Sequence, residues 1–399
     1  MELIALEEAL KLLMANVKAQ SKSCEVGLAN ALNRYIAQDI YAPTAVPAFN
    51  RAAMDGYAVK ASETKNAPLR LKVIAEIVAG DADPNVKPGE NCAIRVTTGA
   101  LIPDGFDAVI RQEATDYGED FVEIYQAIPP YSNYAKTGED LQAGELVISQ
   151  HTKLTPIHLG MLASLGIFEV TVWQPLKVGL IATGSELANW HAPLLPGQIY
   201  NSNQFVLKAR LVELGVDVCF ESQLPDQTVT ICQAVKQQIN NVDLLITTGG
   251  VSVGKTDIMH EVINELGASR LFWRVDMTPG TPMLASTYQE KLILSLSGNP
   301  FASLTTFELL AKPVCLALMH QQRFTPAKRS AILLNDFAKT TTRRRFVRAY
   351  YEAGTVFLPT LKHQSSVLSS MIACNCLIDI ATNSPALSAG TTVNVILLD

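Results

Sequence analysis

LLITTGGVSVGKTD, residues 244–257, joins an apolar stretch to a glycine-rich loop. The apolar and β-branched residues, followed by glycines at 249 and 250, predict a buried strand that ends in a tight turn before a helix. The segment from Gly249 to Thr256 also matches G-x-x-x-x-G-K-[ST], the phosphate-binding loop of P-loop nucleotidases. Two neighbouring residues therefore compete for the functional role, Lys255 as a phosphate ligand and Asp257 as an acidic group.

Strands and helices alternate on both sides of this loop, from 173 to 320. Apolar strands such as LKVGLIA and KLILSLS alternate with helical stretches such as SNQFVLKARLVELG. This pattern is typical of an α/β domain with a mostly parallel sheet. Ligands of such sheets bind beyond the carboxyl ends of the strands. The loops TGSEL, TTGGVSVG, TPGTP and SGNP are expected at that edge, so the sequence predicts that they surround one site.

The remaining segments predict smaller domains around this centre. Residues 46–145 contain short strands, glycines and prolines, and are expected to form an inserted β domain. Residues 1–45 and 146–172 flank the insertion and are predicted to form an elongated, partly helical N-terminal domain. Residues 321–399 predict a C-terminal β domain. The expected fold class is a multidomain α/β plus β protein with a three-layer α/β centre.

Composition excludes several classes of function. The chain has 399 residues, of which 48% are hydrophobic and 18% charged, and its net charge is -6, so a general nucleic-acid-binding surface is not expected. Seven cysteines are scattered, and the one close pair, Cys374 and Cys376, lacks the second pair of a zinc site. Buried reduced thiols are expected instead. The N-terminus predicts an amphipathic helix without a basic region, and no run is long enough to span a membrane, so a cytoplasmic protein is expected.

Seven sequence blocks follow one another in this order: VPAFNRAAMDGYAV, IRVTTGALIPDGFDAVIRQE, TGEDLQAGE, ATGSEL, GQIYNSN, TTGGVSVGKTD, and PGTP followed by LSGNPFAS. Together with the weaker FVRAYY and HQSS, they resemble the MoeA family of molybdopterin molybdenumtransferases, which includes the gephyrin E domain. The resemblance covers essentially the whole chain and implies that 173–320 is a MoaB/Mog-like molybdopterin-binding domain.

The resemblance also implies an activity and a set of partners. Family members insert molybdate into adenylylated molybdopterin and release AMP, with Mg²⁺ assisting. A homodimer with its active site at the subunit interface is implied, as is a Mog-type adenylyltransferase partner. No nucleic acid and no membrane is expected to bind.

Asp257 is favoured over Lys255 by both lines of reasoning. In the family, the position of Lys255 tolerates other residue types, whereas that of Asp257 belongs to the motif. A P-loop also requires a long helix behind it and a strand that ends in a magnesium-binding aspartate. Here the helix after Thr256 is short and KLILSLS ends in serine. The P-loop nucleotidase remains a remote alternative.

Four acidic residues are the candidate catalytic groups. Asp55, Asp140, Glu186 and Asp257 lie in the matching blocks. Glu186 and Asp257 are also candidate metal ligands, because carboxylates beside a phosphate require a divalent cation between them. The structural alternatives are a β-turn for Asp55 and helix capping for Glu186 and Asp257.

Ten residues are candidates for binding the substrate: Thr98, Gly249, Gly250, Ser252, Gly254, Thr278, Thr281, Asn299, Pro300 and Arg348. Glycines let a ligand approach the backbone, and a loop before a helix offers N–H groups to a phosphate. The hydroxyls are potential hydrogen-bond donors, the Asn-Pro pair begins a helix at the pterin end, and the arginine, after the run 343–345, supplies positive charge. Tight turns, capped turns and a solvated strand edge are the alternatives.

The chain departs from the family at charged positions. Thr278 and Thr281 stand where the family has lysines, and Ser185 and Asn201 stand where it has aspartates. A hydrogen bond to a charged group contributes about 1.5–3 kcal/mol, so losing two lysines is expected to cost about 3–6 kcal/mol of anion binding. The threonines can still donate neutral hydrogen bonds. A catalytically weakened molybdopterin-binding paralogue or scaffold is therefore an alternative function, and restoring both lysines is expected to raise its affinity.

Overall fold

The computed structural model describes residues 3–19, 21–81, 86–251, 258–321, 326–359 and 364–398. The chain forms two compact units, one of residues 25–172 and a larger one of residues 1–24 with 173–399. The first helix thus belongs to the larger unit, whereas the sequence predicts it within the N-terminal domain. Its apolar face is buried there through Leu6 and Leu13, and Ile4 pairs with Val275 as a parallel bridge.

Short strands alternate with helices along the chain. The α-helices are Leu6–Ala15, Pro156–Ser164, Ser202–Glu213, Thr228–Gln238, Ile258–Leu266, Pro300–Thr306 and Lys312–Leu318. A π-helical turn, Phe307–Ala311, joins the last two, and 3-10 turns occupy Leu28–Asn30, Ala61–Asn66, Gln112–Ala114, Ile239–Asn241 and Ser369–Met371. The strands are Ser23–Gly27, Ile40–Tyr41, Arg51–Ala52, Gly56–Val59, Leu69–Ile77, Cys92–Val96, Ala108–Arg111, Phe121–Ile124, Tyr134–Ala135, Leu146–Ile148, Glu169–Trp173, Lys177–Thr183, Leu187–Ala188, Ile199–Tyr200, Asp217–Leu224, Leu244–Thr248, Ser269–Trp273, Met277–Thr278, Leu284–Tyr288, Lys291–Leu296, Lys328–Leu333, Arg344–Glu352, Thr355–Phe357, Cys376–Ile380 and Thr392–Leu397.

The unit of residues 25–172 is built on a five-stranded mixed sheet. Both faces of this sheet are covered, because successive residues of the strand Gly56–Val59 enter different hydrophobic clusters. The strand Leu69–Ile77 is predicted from its alternation to present one apolar face. The structure instead shows a register shift between Val73 and Ala75, so Leu71 packs on one side of the sheet and Ile77 on the other. A bulge of this kind reverses the side-chain alternation beyond it.

The larger unit contains the predicted three-layer α/β arrangement. Its six-stranded sheet begins with four parallel strands, in the spatial order Asp217–Leu224, Lys177–Thr183, Leu244–Thr248 and Lys291–Leu296. Two antiparallel strands, Leu284–Tyr288 and Ser269–Trp273, complete it. The helices Thr228–Gln238 and Ile258–Leu266 cover one face through a shared apolar cluster, and Ser202–Glu213 and Pro300–Thr306 contact its strands and each other.

The C-terminal strands of the same unit form a closed sheet. The strand Arg344–Glu352 pairs with both Thr355–Phe357 and Cys376–Ile380, which closes the barrel around residues such as Val347, Val356 and Ile378. One further strand, Met277–Thr278, comes from the chain that follows the α/β strand Ser269–Trp273. It pairs in parallel with the start of Arg344–Glu352, and thereby joins the barrel to the α/β layers.

One helical stretch, Pro300–Leu318, is long and apolar enough by composition to cross a membrane, within the described residues. In the structure, 78% of its apolar window is buried inside the protein, which is the burial of a core helix in a soluble protein. Glu308 is 2% exposed and forms ion pairs with Arg210 and Lys312. The charge is thus neutralised within the core.

The cysteines mostly fulfil the expectation of buried thiols. Cys92, Cys232, Cys315 and Cys376 are buried, whereas Cys219 is exposed. Burial raises the pKa of the Cys315 thiol to about 12, which makes it unreactive at neutral pH.

Arg344 links the first helix to the barrel. Its guanidinium donates to both carboxylate oxygens of Asp379, at 2.7 and 2.8 Å, and also to Glu7. Burial raises the pKa of Asp379, but the hydrogen bonds and charges of Arg344 and Lys328 outweigh burial and lower that pKa below its ordinary value. Asp379 therefore stays ionised as the buried counter-ion of Arg344.

We expect Asp379→Asn to destabilise the larger unit by about 3–5 kcal/mol, because it leaves a largely buried guanidinium without its main counter-ion. Glu7, the other partner of Arg344, is 72% exposed. Glu7→Gln should therefore change the free energy of unfolding by less than about 1 kcal/mol. Tryptophan fluorescence during urea unfolding reports on this unit alone, since Trp173, Trp190 and Trp273 all belong to it. Equal losses in the two variants would contradict this account.

Candidate functional site

A cavity of about 890 Å³ lies in the larger unit, beyond the carboxyl ends of the parallel strands Lys177–Thr183, Leu244–Thr248 and Lys291–Leu296. Its wall also includes residues 278–282 and part of the barrel strand Arg344–Glu352. All four loops that the sequence predicts around one site contribute residues to this wall. Among the residues that the structure describes, its charged members are Glu186, Asp226, Lys339 and Arg345.

Gly249 and Gly250 are two wall residues at which the structure leaves no room for a side chain. Gly249 has a φ of +93°, and a Cβ there would lie 2.2 Å from the carbonyl oxygen of Thr183. Gly250 has a φ of +65°, and its Cβ would lie 2.6 Å from Cγ2 of Ile258. Only glycine combines these conformations with this space. Gly249 therefore allows the adjacent strand end at Thr183 to come close, and Gly250 allows the helix that begins at Ile258 to do so.

Two acidic residues of the described part of the wall are Glu186 and Asp226. Glu186 is exposed beyond the end of Lys177–Thr183, and Asp226 follows the neighbouring strand Asp217–Leu224. Oδ2 of Asp226 accepts a hydrogen bond from the backbone N–H of Ser185 at 3.2 Å, which ties the two loops together. Of these two residues, only Glu186 is predicted from the sequence. The signal for Asp226 was available, because it too lies just beyond the carboxyl end of a parallel strand.

Thr278 and Thr281 both line the cavity. The hydroxyl of Thr281 donates to the carbonyl oxygen of Met277. Because a hydroxyl has one proton to donate, Thr281 offers a ligand lone pairs rather than a donor. Both threonines are predicted to donate a hydrogen bond to a ligand. The hydroxyl proton of Thr281 is already donated to Met277, so of the two threonines only Thr278 can donate to a ligand.

Two basic residues on the barrel side, Lys339 and Arg345, also line the cavity. From the sequence, Arg345 is only one member of a charged run, and Lys339 is not predicted in the site. Neither could be placed from local pattern, because their position depends on how the barrel packs on the α/β layers. The cavity thus combines carboxylates from the α/β loops with cations from the barrel.

Arg348 lies behind this wall rather than in it. Its side chain is fully buried, and its guanidinium donates to the carbonyl oxygens of Gln364 and Val367 and lies 4.0 Å from the ring centroid of Phe301. Burial lowers the pKa of this guanidinium. The structure therefore gives Arg348 a positioning role on the loop 364–368, part of which lines the cavity, in place of the predicted ligand contact.

Asn299 and Pro300 lie on the wall at the start of the helix Pro300–Thr306. The backbone N–H of Asn299 donates to Oγ of Ser297 at 3.3 Å, and Nδ2 of Asn203 donates to the carbonyl oxygen of Gly298 at 2.7 Å. These bonds fix the turn. Asn299 and Pro300 therefore both begin a helix, as predicted, and line the cavity.

Asp55 and Thr98 are brought together in the unit of residues 25–172. The backbone N–H and the hydroxyl of Thr98 donate to Oδ1 of Asp55 at 2.6 and 2.7 Å. These two bonds lower the pKa of Asp55 below its ordinary value, so this exposed carboxylate is ionised at neutral pH. Asp140 is exposed in the same unit, and its backbone N–H donates to the carbonyl oxygen of Val46 at 3.0 Å.

Part of the central loop lies outside the described residues, namely 252–257, which include the predicted Ser252, Gly254 and Asp257 as well as Lys255. Among the described residues, no group of three or more His, Cys, Asp or Glu side chains is placed to hold a metal ion. Glu186 and Asp226 offer carboxylate oxygens, which are the ligands that Mg²⁺ prefers. Both residues line the cavity, so their carboxylates are the described groups there that could contact such an ion.

Comparison with known proteins agrees with this architecture along the chain. Residues 4–166 match the family model of the MoeA N-terminal region (domains I and II), residues 179–317 that of a probable molybdopterin-binding domain, and residues 330–398 that of the MoeA C-terminal region (domain IV). The chain belongs to the MoeA family. MoeA proteins act in molybdenum cofactor biosynthesis, so the resemblance in the sequence blocks is confirmed.

Individual MoeA relatives match over almost their full lengths. The molybdopterin molybdenumtransferase of Haemophilus influenzae is 35% identical over 399 residues, which is 98% of each chain. That of Bacillus subtilis is 36% identical over 406 residues, covering 99% of this chain and 94% of its own. A crystal structure of a molybdopterin biosynthesis MoeA protein from Pyrococcus horikoshii has a TM-score of 0.85 and 31% identity, and the match covers 99% of this chain and 100% of that one. The predicted multidomain α/β plus β fold is confirmed.

We expect Gly249→Ala to disrupt the base of the cavity. The new methyl group would overlap the Thr183 carbonyl oxygen, so backbone must move in addition to the strain of a positive φ. Gly215→Ala is the matched control, because Gly215 also has a positive φ, +79°, but no heavy atom lies within 4 Å of the added Cβ. Urea unfolding should show a loss of about 1 kcal/mol for the control and a clearly larger loss for Gly249→Ala. Equal losses would show that the close contact has no energetic role.

Proposed function

We propose that this MoeA-family chain inserts molybdate into adenylylated molybdopterin and releases AMP, as a cytoplasmic enzyme. The observation that carries the proposal is the cavity, which combines exposed carboxylates from the α/β loops with cations from the barrel. Its volume of about 890 Å³ lies within the range of about 300–1,000 Å³ that holds drug-sized ligands. A nucleotide-linked pterin carries phosphates and a metal-binding end, and therefore requires both kinds of charge.

Magnesium belongs at the acidic part of the cavity in this proposal. Glu186 and Asp226 would otherwise repel the phosphates of the substrate, and a divalent cation between them converts repulsion into attraction. Asp257, which the sequence blocks favour, would join them as a third ligand. When bound, magnesium supplies positive charge to the phosphate groups.

The other residues of the wall bind and orient the substrate. Gly249 and Gly250 let the ligand reach the backbone, and the turn at Asn299 forms another part of the wall. Lys339 and Arg345 attract anionic groups toward the barrel. The shared effect is to hold the reacting groups together in a fixed arrangement.

A second copy of the chain completes the site in this proposal. Asp55, Thr98 and Asp140 are exposed on the unit of residues 25–172, and their sequence blocks imply that they face the cavity of a partner in a homodimer. The ionised Asp55, held by Thr98, would add another carboxylate. A Mog-type adenylyltransferase is the partner proposed to supply the adenylylated substrate.

A catalytically weakened, molybdopterin-binding paralogue is the second candidate function. One observation favours it, since Thr278 and Thr281 are uncharged and the Thr281 hydroxyl is committed to Met277. Such a protein binds molybdopterin without releasing AMP. The P-loop nucleotidase would instead hydrolyse ATP and lose this activity in Lys255→Ala.

A single-turnover assay tests the enzymatic proposal. Adenylylated molybdopterin, molybdate and magnesium should give AMP with the unmodified protein, and Glu186→Gln should slow AMP release about 100-fold, the size typical of losing one electrostatic group at a reaction centre. Excess magnesium should restore part of the rate. The control is Glu265→Gln, an exposed residue that does not line the cavity. Intact substrate after prolonged incubation with the unmodified protein would exclude turnover and leave the binding-only function.

Complementation between two variants tests the shared site. Asp55→Asn and Glu186→Gln should each retain only about one hundredth of the unmodified activity as homodimers. If each site combines Asp55 of one subunit with Glu186 of the other, a heterodimer contains one intact site. Random mixing after refolding or co-expression should then recover about a quarter of the unmodified activity, because half of the dimers are mixed and each has one intact site of two. No recovery would place all the groups of a site within one chain.

A further inference from the structure

Thr278 has a basic neighbour on the adjacent strand. In the parallel pairing of Met277–Thr278 with Arg344–Glu352, Thr278 lies opposite Arg345. Adjacent strands are about 4.8 Å apart, and both residues line the cavity. A position at which the family has a lysine therefore lies directly beside an arginine in this chain.

Arg345 differs from the other arginines of its run in what it contacts. Arg343 lies 3.6 Å from Asp276, and Arg344 is bound by Glu7 and Asp379. Arg345 forms no ion pair among the described residues, and its buried Nε has no hydrogen-bond partner there. A buried guanidinium N–H without a partner is costly. Since Arg345 lines the cavity and has no counter-ion among the described residues, its charge is left for a ligand that enters the cavity.

Arg345 also suits one class of ligand. A guanidinium presents several N–H donors in a planar fork and matches oxyanions, to which it often donates two hydrogen bonds. Thr278 lies beside it and adds a neutral hydroxyl. An anion held by both would lie on the barrel side of the cavity, on different elements from those that carry Glu186 and Asp226.

We propose that Arg345 binds a tetrahedral oxyanion in the cavity and replaces, from the adjacent strand, the positive charge that the chain lacks at Thr278. The oxyanion is either free molybdate or a phosphate of the substrate, which share this chemistry. The inference rests on the proposed function for the identity of these ligands. With Arg345 as the cation, a cavity that has a threonine at 278 can still bind an anion, because the positive charge comes from the adjacent strand.

Thr278→Lys would place a lysine directly beside Arg345. If Arg345 already supplies the charge, Thr278→Lys adds a second cation next to it, and the two repel each other. The substitution should therefore raise oxyanion affinity little in the unmodified protein. In an Arg345→Gln background the same lysine should restore binding. Such dependence of one substitution on the other is the signature of two groups that serve one ligand.

The experiment measures oxyanion binding by isothermal titration, with molybdate alone in one arm and inorganic phosphate alone in the other. Arg345→Gln should weaken binding by about tenfold to a hundredfold, the range for losing a charged hydrogen-bond donor. Arg345→Lys should retain part of the affinity. Arg343→Gln is the control, because it removes the same charge from a residue outside the cavity wall. Circular dichroism and thermal unfolding of each variant identify any loss that comes from misfolding.

A selective loss in the molybdate arm supports Arg345 as a ligand of the free oxyanion, and a selective loss in the phosphate arm supports it as a ligand of the substrate phosphate. Equal effects of Arg345→Gln and Arg343→Gln, or no rescue by Thr278→Lys in a folded Arg345→Gln protein, would overturn the proposal. These readings do not involve turnover, so a failure of AMP release would reject the enzymatic proposal without affecting this one.

Discussion

The parallel pairing of Met277–Thr278 with Arg344–Arg345 is the constraint on which the site depends. Through this pairing, the segment that follows the α/β sheet becomes an outer strand of the barrel. The pairing therefore sets the position of barrel side chains beyond the carboxyl ends of the parallel strands. Gly280, beside this strand, has no room for a side chain, since a Cβ would lie 2.6 Å from Cγ2 of Thr306. The barrel and the α/β layers thereby share one cavity wall.

This arrangement separates charges that would otherwise neutralise each other. Glu186 and Asp226 come from loops of the α/β sheet, whereas Lys339 and Arg345 come from the barrel. A ligand with phosphates and a metal-binding end can then be held in one orientation, because its anionic and cation-bridged parts prefer different walls. Arg345 lies opposite the uncharged Thr278 on the adjacent strand, so the barrel side of the cavity carries positive charge.

The sequence predicts the parts of this site that follow from local pattern. Hydrophobic periodicity and the positions of glycines are local signals. They predict the strand before Gly249, the helix Ser202–Glu213 and the loops at the sheet edge. The strand Leu284–Tyr288 is not, because its turn at Gln289–Glu290 has positive φ at both residues without the usual glycine or asparagine. Arg345 and Lys339 are missed because their place in the wall depends on the packing of two distant segments. Arg348 is misplaced for the same reason, since only tertiary contact shows that Phe301 and the loop 364–368 enclose it.

The most direct measurement of this account is anomalous diffraction at the tungsten edge from crystals grown with tungstate and AMP. The predicted result is a tungsten peak in the cavity, with oxyanion oxygens about 2.7–3.2 Å from the guanidinium nitrogens of Arg345, the distance of a hydrogen bond, and with Thr278 beside it. The account would be contradicted by a tungsten peak elsewhere on the protein, in a crystal in which AMP occupies the cavity and Arg345 points away from it.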